Sequence, residues 1–178
     1  MRALSFLLET VFYLLIGASL LRAYMNWLRI SMTAQPGTFV MALTNWLVKP
    51  LRRMLPQALA RSKVDSASLF AAALLSLLYA FLAALLFGWF ADDVPVLAVL
   101  GFAFKMLVRV ALQALTILVF AYVIISWVQP GSYAYGLLSR LVEPPLSPLR
   151  RIVPMIGGID LSAMALLLLL QVGLMLLG

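Results

Sequence analysis

The chain has no cysteine and no histidine among its 178 residues, and only 11% of its residues are charged. The missing side chains exclude disulfides, Cys/His metal sites, thiol catalysis and haem held by a His or Cys ligand. Acidic residues are scarcer than basic ones, six against thirteen, which gives a net charge of +7. A soluble domain carries about 25% charged residues. This chain is therefore too poor in charge to cover a globular core of its size.

The chain instead has long apolar runs, because 65% of its residues are hydrophobic. A helix needs ~20 apolar residues to cross ~30 Å of hydrocarbon. Runs of about this length predict an all-α membrane protein with four transmembrane helices, at about 4–28, 66–90, 105–128 and 161–177. The apolar stretch 94–104 is too short to cross again. We favour an extension of the third helix there over a short helix lying at the membrane surface.

One arrangement of residues occurs twice in the chain. An apolar span ends in tryptophan, a Pro-Leu-Arg-Arg-x-x-Pro segment follows, and an aspartate opens the next span. The first copy contains Trp27, residues 50–56 and Asp65, and the second contains Trp127, residues 148–154 and Asp160. A duplicated pair of spans predicts two parallel two-helix repeats, residues 1–91 and 92–178.

The basic residues concentrate in the two loops that carry the Arg-Arg pairs. The loop between spans two and three contains Asp92 and Asp93 and no basic residue. The positive-inside rule then places both basic loops in the cytoplasm and both termini in the periplasm. Glu9 interrupts the first apolar run, so this run is predicted to be an uncleaved span and not a signal peptide. Because the basic charge lies beside the membrane, we expect no nucleic-acid binding.

Each basic loop predicts a short amphipathic helix in the headgroup layer. The apolar residues at helical spacing are Phe39, Leu43, Trp46 and Leu47 in the first loop, and Leu137, Leu138, Leu141 and Val142 in the second. Prolines are predicted to stop these helices, at Pro50 and at Pro144-Pro145.

An arginine pair follows each loop helix. The four residues are Arg52, Arg53, Arg150 and Arg151. One interpretation is an anchor that holds the loop flat by snorkelling. The other is a paired binding site for anionic lipid headgroups or for a partner protein, since each basic side chain near an anionic leaflet contributes roughly 1 kcal/mol of attraction.

Further polar residues lie at the ends of the spans or inside them. Asp65 and Asp160 are predicted to cap the helices that follow, which is compatible with salt bridges to the loop arginines. Glu9 and Arg109 each lie eighteen residues before the tryptophan of their repeat. We predict an intramembrane ion pair between them, as a packing contact in preference to a proton or ion path. Arg22 is expected to snorkel to the cytoplasmic interface.

The second span carries a small residue at every fourth position. The series is Ser68, Ala72, Ser76, Ala80, Ala84 and Gly88. A continuous small stripe predicts that another helix approaches closely, either within the chain or from a second subunit.

The two loops resemble those of the YggT family, in its double-repeat form. The resemblance rests on Pro-Leu-Arg-Arg at 50–53 with Asp65, and on residues 143–162 of the second loop, which is the closer match. The first loop departs from the second, because Trp46-Leu47 stand where the second has Pro144-Pro145. The resemblance implies a small, multi-pass protein of the bacterial inner membrane without known catalytic activity. Relatives of the family are associated with osmotic-stress tolerance, cell-division gene neighbourhoods and, in plastids, assembly of a cytochrome complex.

The expected function is that of a non-enzymatic scaffold or assembly protein. The chain shows no nucleophile–base pair, carboxylate dyad, phosphate-binding glycine loop or metal-ligand cluster, so no cofactor is expected. The expected partners are anionic membrane lipids and a membrane or division protein, and a homo-oligomer is left open. The alternative is a small oligomeric channel or transporter for ions or osmolytes. Its polar path would use Glu9, Arg109, Gln113, Thr116 and Gln171.

Overall fold

The structure is a computed structural model that describes residues 2–54, 65–87, 95–153 and 160–178. In these ranges it contains six helices and no strand. They are α1 (Arg2–Trp27), α2 (Gly37–Met54), α3 (Ser66–Leu86), α4 (Val96–Val128), α5 (Tyr133–Arg150) and α6 (Leu161–Leu176). The predicted all-α class is confirmed for this part of the chain.

Three of the helices are long and apolar enough to cross a membrane. The segments are Leu4–Trp27 of α1, Ser66–Leu86 and Val96–Val128. Helix α6 is apolar but has only 16 residues. The arrangement of four spans as two parallel repeats stays a prediction. The end of the second predicted span, Gly88 and the acidic pair Asp92 and Asp93 lie outside the described residues.

The third long helix is continuous over 33 residues, Val96–Val128. Residues 96–104 therefore extend that helix, as we expected, while Val94 lies outside the described ranges. The added turns are held by α3, because Val99 and Ala103 pack against Ala80 and Ala84. The small side chains on both helices allow this close approach.

Packing divides the chain into two compact units, residues 1–110 and 111–178. In the first unit α1 lies along α3, with Phe12 and Ile16 against Ala72 and Leu75. Helix α2 packs across both of them, and its Val48 contacts α3. The stripe of small residues on α3 is buried from Ser68 to Ala84. The predicted close helix contact is therefore confirmed within the chain.

The second unit contains the C-terminal half of α4 together with α5 and α6. Its core is formed by Val119, Tyr122, Val142, Leu146, Ala163, Leu166 and Leu170. The division between the units falls inside α4 because the first turns of that helix pack on α3. A packing unit and a sequence repeat are different divisions, so the predicted repeats 1–91 and 92–178 stay a prediction.

The prediction that prolines stop the loop helices is wrong. Helix α2 contains Pro50 and ends at Met54, and α5 contains three prolines and ends at Arg150. The fixed φ of proline, near −65°, is compatible with a helix, although a proline in the interior costs about 3 kcal/mol in lost hydrogen bonding and steric clash. In α5 the burial of Leu141, Val142 and Leu146 around the prolines offsets that cost.

Helix α2 has two apolar faces. Val40, Thr44 and Val48 are buried against the protein, whereas Phe39 and Trp46 are exposed. The spacing of Phe39 and Trp46 indicates the outward face, which suits a helix in the headgroup layer. The inward face includes Thr44, whose hydroxyl would be costly to bury without a hydrogen-bond partner.

Candidate functional site: two aspartate–arginine clusters

The first cluster is built around Asp65, at the start of α3. The Asp65 carboxylate accepts hydrogen bonds from the Ser68 backbone N–H at 3.3 Å and from Ser68 Oγ at 2.8 Å, which caps the helix. Arg52 Nη2, in the last turn of α2, donates to both carboxylate oxygens at 2.9 and 2.8 Å. Asn26 Nδ2, near the end of α1, donates at 2.6 Å. One buried carboxylate therefore joins the ends of three helices.

Arg22, on α1, lies on the buried side of this carboxylate. Its Nη1 donates to Thr44 Oγ1 at 2.8 Å and to Asn45 Oδ1 at 3.0 Å, both on α2. Its Nε lies 3.9 Å from Asp65 Oδ2, a long ion pair, and this buried Nε has no hydrogen-bond partner in the described part of the chain. The side chain of Arg22 is only 6% exposed. The expectation that Arg22 snorkels to the interface is wrong, because α2 covers it and supplies its acceptors.

The second cluster is built around Asp160, at the start of α6. Its carboxylate accepts from the Ser162 backbone N–H at 3.1 Å and from Ser162 Oγ, which caps α6. Arg150 Nε and Nη2 donate to Asp160 Oδ2 at 3.1 and 2.8 Å. The remaining donors of Arg150 reach Glu143 Oε2 at 2.7 Å and Tyr122 Oη at 3.1 Å. Continuation of α5 through its prolines is what brings Arg150 to this carboxylate.

The two clusters occupy corresponding places in the duplicated sequence but differ in charge. Arg22 and Tyr122 each lie five residues before the repeat's tryptophan, and Asn45 and Glu143 each lie seven residues before the bridging arginine. The first cluster therefore contains two arginines and one aspartate, a net charge of +1. The second contains one arginine and two carboxylates, a net charge of −1.

The surroundings lower the pKa of both aspartates. Burial alone would raise the pKa of Asp65, but hydrogen bonds from Ser68 and Arg52, the charge of Arg52 and the hydrogen bond from Asn26 together hold this pKa below the ordinary value of an aspartate. Burial would also raise the pKa of Asp160. Hydrogen bonds from Ser162 and Arg150, together with the positive charge of Arg150, lower this pKa instead. Both groups are charged at neutral pH. Burial would lower the pKa of Arg150, but its acidic partners raise it.

We expect the protein to lose stability in acid only below about pH 4. Each aspartate has a lower pKa in the folded state, so the unfolded chain binds more protons between the two pKa values. The stabilisation is complete above the ordinary pKa and is lost as the pH falls through the folded one. Melting curves of the detergent-solubilised protein should coincide between about pH 7 and pH 5 and shift downward in more acidic buffer. The double variant Asp65→Asn, Asp160→Asn should show a smaller acid-dependent shift, and an equal shift would contradict the assignment.

The other predicted site residues lie apart from these two carboxylates. Arg53 and Arg151 are exposed, and neither makes an ion pair within 4.0 Å in the described ranges, as is also true of Lys49 and Arg140. Each Arg-Arg pair is thus divided into one arginine held by aspartate and one that has no acidic partner within 4.0 Å among the described residues.

The two residues predicted from sequence to form an intramembrane ion pair, Glu9 and Arg109, do not lie within 4.0 Å of each other. Glu9 is exposed and Arg109 is half-buried, and the ion pairs among the described residues do not join them. Their pairing stays a prediction.

Apolar helices of spanning length, together with amphipathic basic helices whose last turns bind the aspartates that open α3 and α6, define an α-helical membrane protein. The chain belongs to the CCB3/YggT family, whose model matches residues 1–86 and 101–178. The resemblance found in the two loops is thereby confirmed.

Similar proteins occur in bacteria. A protein of Escherichia coli strain K12 named "Uncharacterized protein YggT" is 36% identical over 177 residues, covering 97% of this chain and 87% of the relative. A protein of Vibrio alginolyticus named "Uncharacterized protein in proC 3'region" is 32% identical over 176 residues, covering 96% and 91%. No solved structure matches the chain at a significant level.

Proposed function

We propose that this protein is a non-enzymatic scaffold of the bacterial inner membrane whose two basic loop helices bind anionic lipid or an acidic partner protein. The supporting observation is that the two arginines of each Arg-Arg pair have different surroundings. Arg52 and Arg150 bind the aspartates that open α3 and α6. Arg53 and Arg151, one residue further on, are exposed. The aspartates thus fix the ends of the basic helices while a cation remains available for binding.

The character of α2 supports a position in the headgroup layer. Phe39 and Trp46 are exposed on its outward face, and Trp46 Nε1 donates to its own helix, at Leu43 O. Lys49 and Arg53 add two exposed cations to the same helix. An apolar face combined with lysine and arginine is the composition of helices that lie on anionic membranes.

The same surface supports a role in assembly. Its cations would attract an acidic segment of a membrane or division protein in the same way that they attract anionic headgroups. Through the family resemblance such a role would connect the protein to osmotic-stress tolerance, cell division or assembly of a membrane complex. On this proposal the cluster residues bind and hold, and they catalyse no reaction.

The proposal is tested by removing the exposed cations. Replacing Lys49, Arg53, Arg140 and Arg151 by Gln removes two charges from each loop, about 2 kcal/mol of attraction per loop. The affinity of each loop for phosphatidylglycerol should therefore fall about thirtyfold. Native mass spectrometry of the detergent-solubilised protein, titrated with phosphatidylglycerol and with phosphatidylcholine, measures this preference.

The matched control keeps the charge at the same four positions. Lys49→Arg combined with Arg53→Lys, Arg140→Lys and Arg151→Lys should retain the preference for phosphatidylglycerol, because attraction to a leaflet depends on charge. An unchanged preference in the Gln variant would remove the lipid half of the proposal. Ion flux through proteoliposomes above that of protein-free liposomes would contradict a scaffold and favour a channel.

A further inference from the structure

The first cluster contains one more cation than its carboxylate can fully bind. Arg52 has a side chain that is 49% exposed and takes both oxygens of Asp65. Arg22 is 6% exposed, and its buried Nε has no hydrogen-bond partner in the described part of the chain, although Asp65 Oδ2 is only 3.9 Å away. The outer arginine is exposed enough to reach a ligand, whereas the inner one, which donates through Nη1 to Thr44 and Asn45, still has an unused Nε donor beside the same carboxylate.

We propose that this cluster is a phosphate-binding site. When a phosphate binds Arg52, Arg52 releases the Asp65 carboxylate, which then accepts a hydrogen bond from Arg22. The inference rests on the proposed function and deepens it, because it assigns one site and one chemical group. The phosphate belongs either to a lipid headgroup or to free inorganic phosphate. The planar guanidinium of Arg52 presents paired donors that match two phosphate oxygens.

The exchange requires little movement. A charge-assisted hydrogen bond needs a separation of about 2.7–2.9 Å, so Asp65 Oδ2 must approach Arg22 Nε by about 1 Å from its present 3.9 Å. The capping bonds from Ser68 and the bond from Asn26 reach the same carboxylate and do not involve Arg52. The start of α3 therefore stays capped while the outer arginine changes its partner.

The charge balance favours the exchange in this cluster. Two arginines and Asp65 sum to +1, and a phosphodiester with one negative charge brings the sum to zero. Arg22 gains an acceptor for its buried Nε, which removes the penalty of an unsatisfied buried donor. The phosphate thus completes the cluster without leaving either arginine unpaired.

The second cluster is unfavourable for phosphate binding of the same kind. Arg150 is already shared by Asp160, Glu143 and Tyr122. A phosphodiester would bring the local sum from −1 to −2, and no second arginine in that cluster is placed to receive the released carboxylate. Phosphate binding of this kind is therefore confined to the first copy of the repeated arrangement.

The test compares equivalent substitutions in the two copies of the full chain. Native mass spectrometry in detergent measures binding of dioctanoyl phosphatidylglycerol, with dioctanoylglycerol, which lacks the phosphate, as the matched control lipid. Arg52→Gln should weaken phosphatidylglycerol binding about tenfold, the contribution of a charge-assisted hydrogen bond. Arg150→Gln should leave it within about twofold. Equal weakening by the two variants would overturn the inference.

A gain of binding separates this role from a purely structural one. Asp65→Asn keeps a good capping residue and removes the carboxylate that competes for Arg52. It should therefore tighten phosphatidylglycerol binding about tenfold, with a larger rise in melting temperature on adding the lipid. Asp160→Asn should produce no gain, because Glu143 still holds Arg150. Absence of the gain in a folded Asp65→Asn variant would overturn the proposal even if Arg52→Gln does not fold.

A third arm identifies the source of the phosphate and separates the two proposals. Arg52-dependent binding of inorganic phosphate that displaces the lipid would assign the site to free phosphate, and binding of the lipid alone would assign it to a headgroup. If removing the four exposed cations abolishes the lipid preference but the Arg52 and Arg150 variants behave alike, the scaffold proposal stands and this inference fails. If there is no preference for anionic lipid but phosphate binding still depends on Arg52, the phosphate-site inference stands and the scaffold proposal fails.

Discussion

Asp65→Ala is expected to destabilise the protein by about 3–5 kcal/mol, the cost of removing one partner from a buried ion pair. The substitution leaves Arg22 buried at 6% exposure with no carboxylate beside it, and it also removes the cap of α3. Asn26 and Ser68 lose their acceptor at the same time. Denaturant unfolding in detergent micelles, followed by tryptophan fluorescence, measures the change in the free energy of unfolding.

The equivalent substitution in the other cluster provides the control. Asp160→Ala should cost about 1–2 kcal/mol, mostly the lost cap, because Arg150 keeps Glu143 and Tyr122 as partners. Adding Arg22→Met to Asp65→Ala should recover part of the loss, since it removes the orphaned buried charge. Equal destabilisation by the two aspartate variants, with no recovery in the double variant, would show that Arg22 does not depend on Asp65.

Ala72→Leu is expected to destabilise the first unit by about 1–3 kcal/mol. Ala72 is fully buried and packs with Phe12 and Ile16, both on α1. Inside a membrane, helices associate through close packing and not through exclusion of water. Three added carbons at this position force the two helices apart, and the same unfolding experiment in detergent measures the loss.

The neighbouring residue offers a matched control for the overpacked variant. Ala73 is exposed on α3, so Ala73→Leu adds the same atoms where lipid or detergent can accommodate them. It should change the free energy of unfolding by no more than about 0.5 kcal/mol. If Ala73→Leu were as destabilising as Ala72→Leu, the packing of α1 against α3 at this level would be wrong.

The lengths of the apolar runs predicted the long helices well because the length of a spanning helix follows from the bilayer itself. The small residues of α3 likewise predicted a close helix contact, since only small side chains let two backbones approach. The prediction from the prolines was wrong because the cost of a proline inside a helix can be offset by the packing of the residues around it. The burial of Leu141, Val142 and Leu146 is a tertiary effect that the local sequence of α5 does not contain.

The candidate site was predictable only in part. The position of Asp65 and Asp160 before an apolar run indicated a helix start, and the nearby arginines indicated possible ion pairs. The burial of Arg22 was missed because its acceptors, Thr44 and Asn45, lie more than twenty residues away on another helix. The available signal was the pair of adjacent polar residues in an otherwise apolar stretch of α2.

The length of α4 has a consequence for how the protein fits its membrane. Its 33 residues make a rod about 50 Å long, against ~30 Å of hydrocarbon. Transmembrane helices tilt by at most about 40°, and at that angle only about 26 residues lie within the hydrocarbon. With Trp127, which is 69% exposed, at one interface, at least about two apolar turns at the Val96 end would extend past the other. A helix of this length placed across a membrane would therefore be longer than the hydrocarbon is thick, a hydrophobic mismatch that a thicker bilayer would reduce.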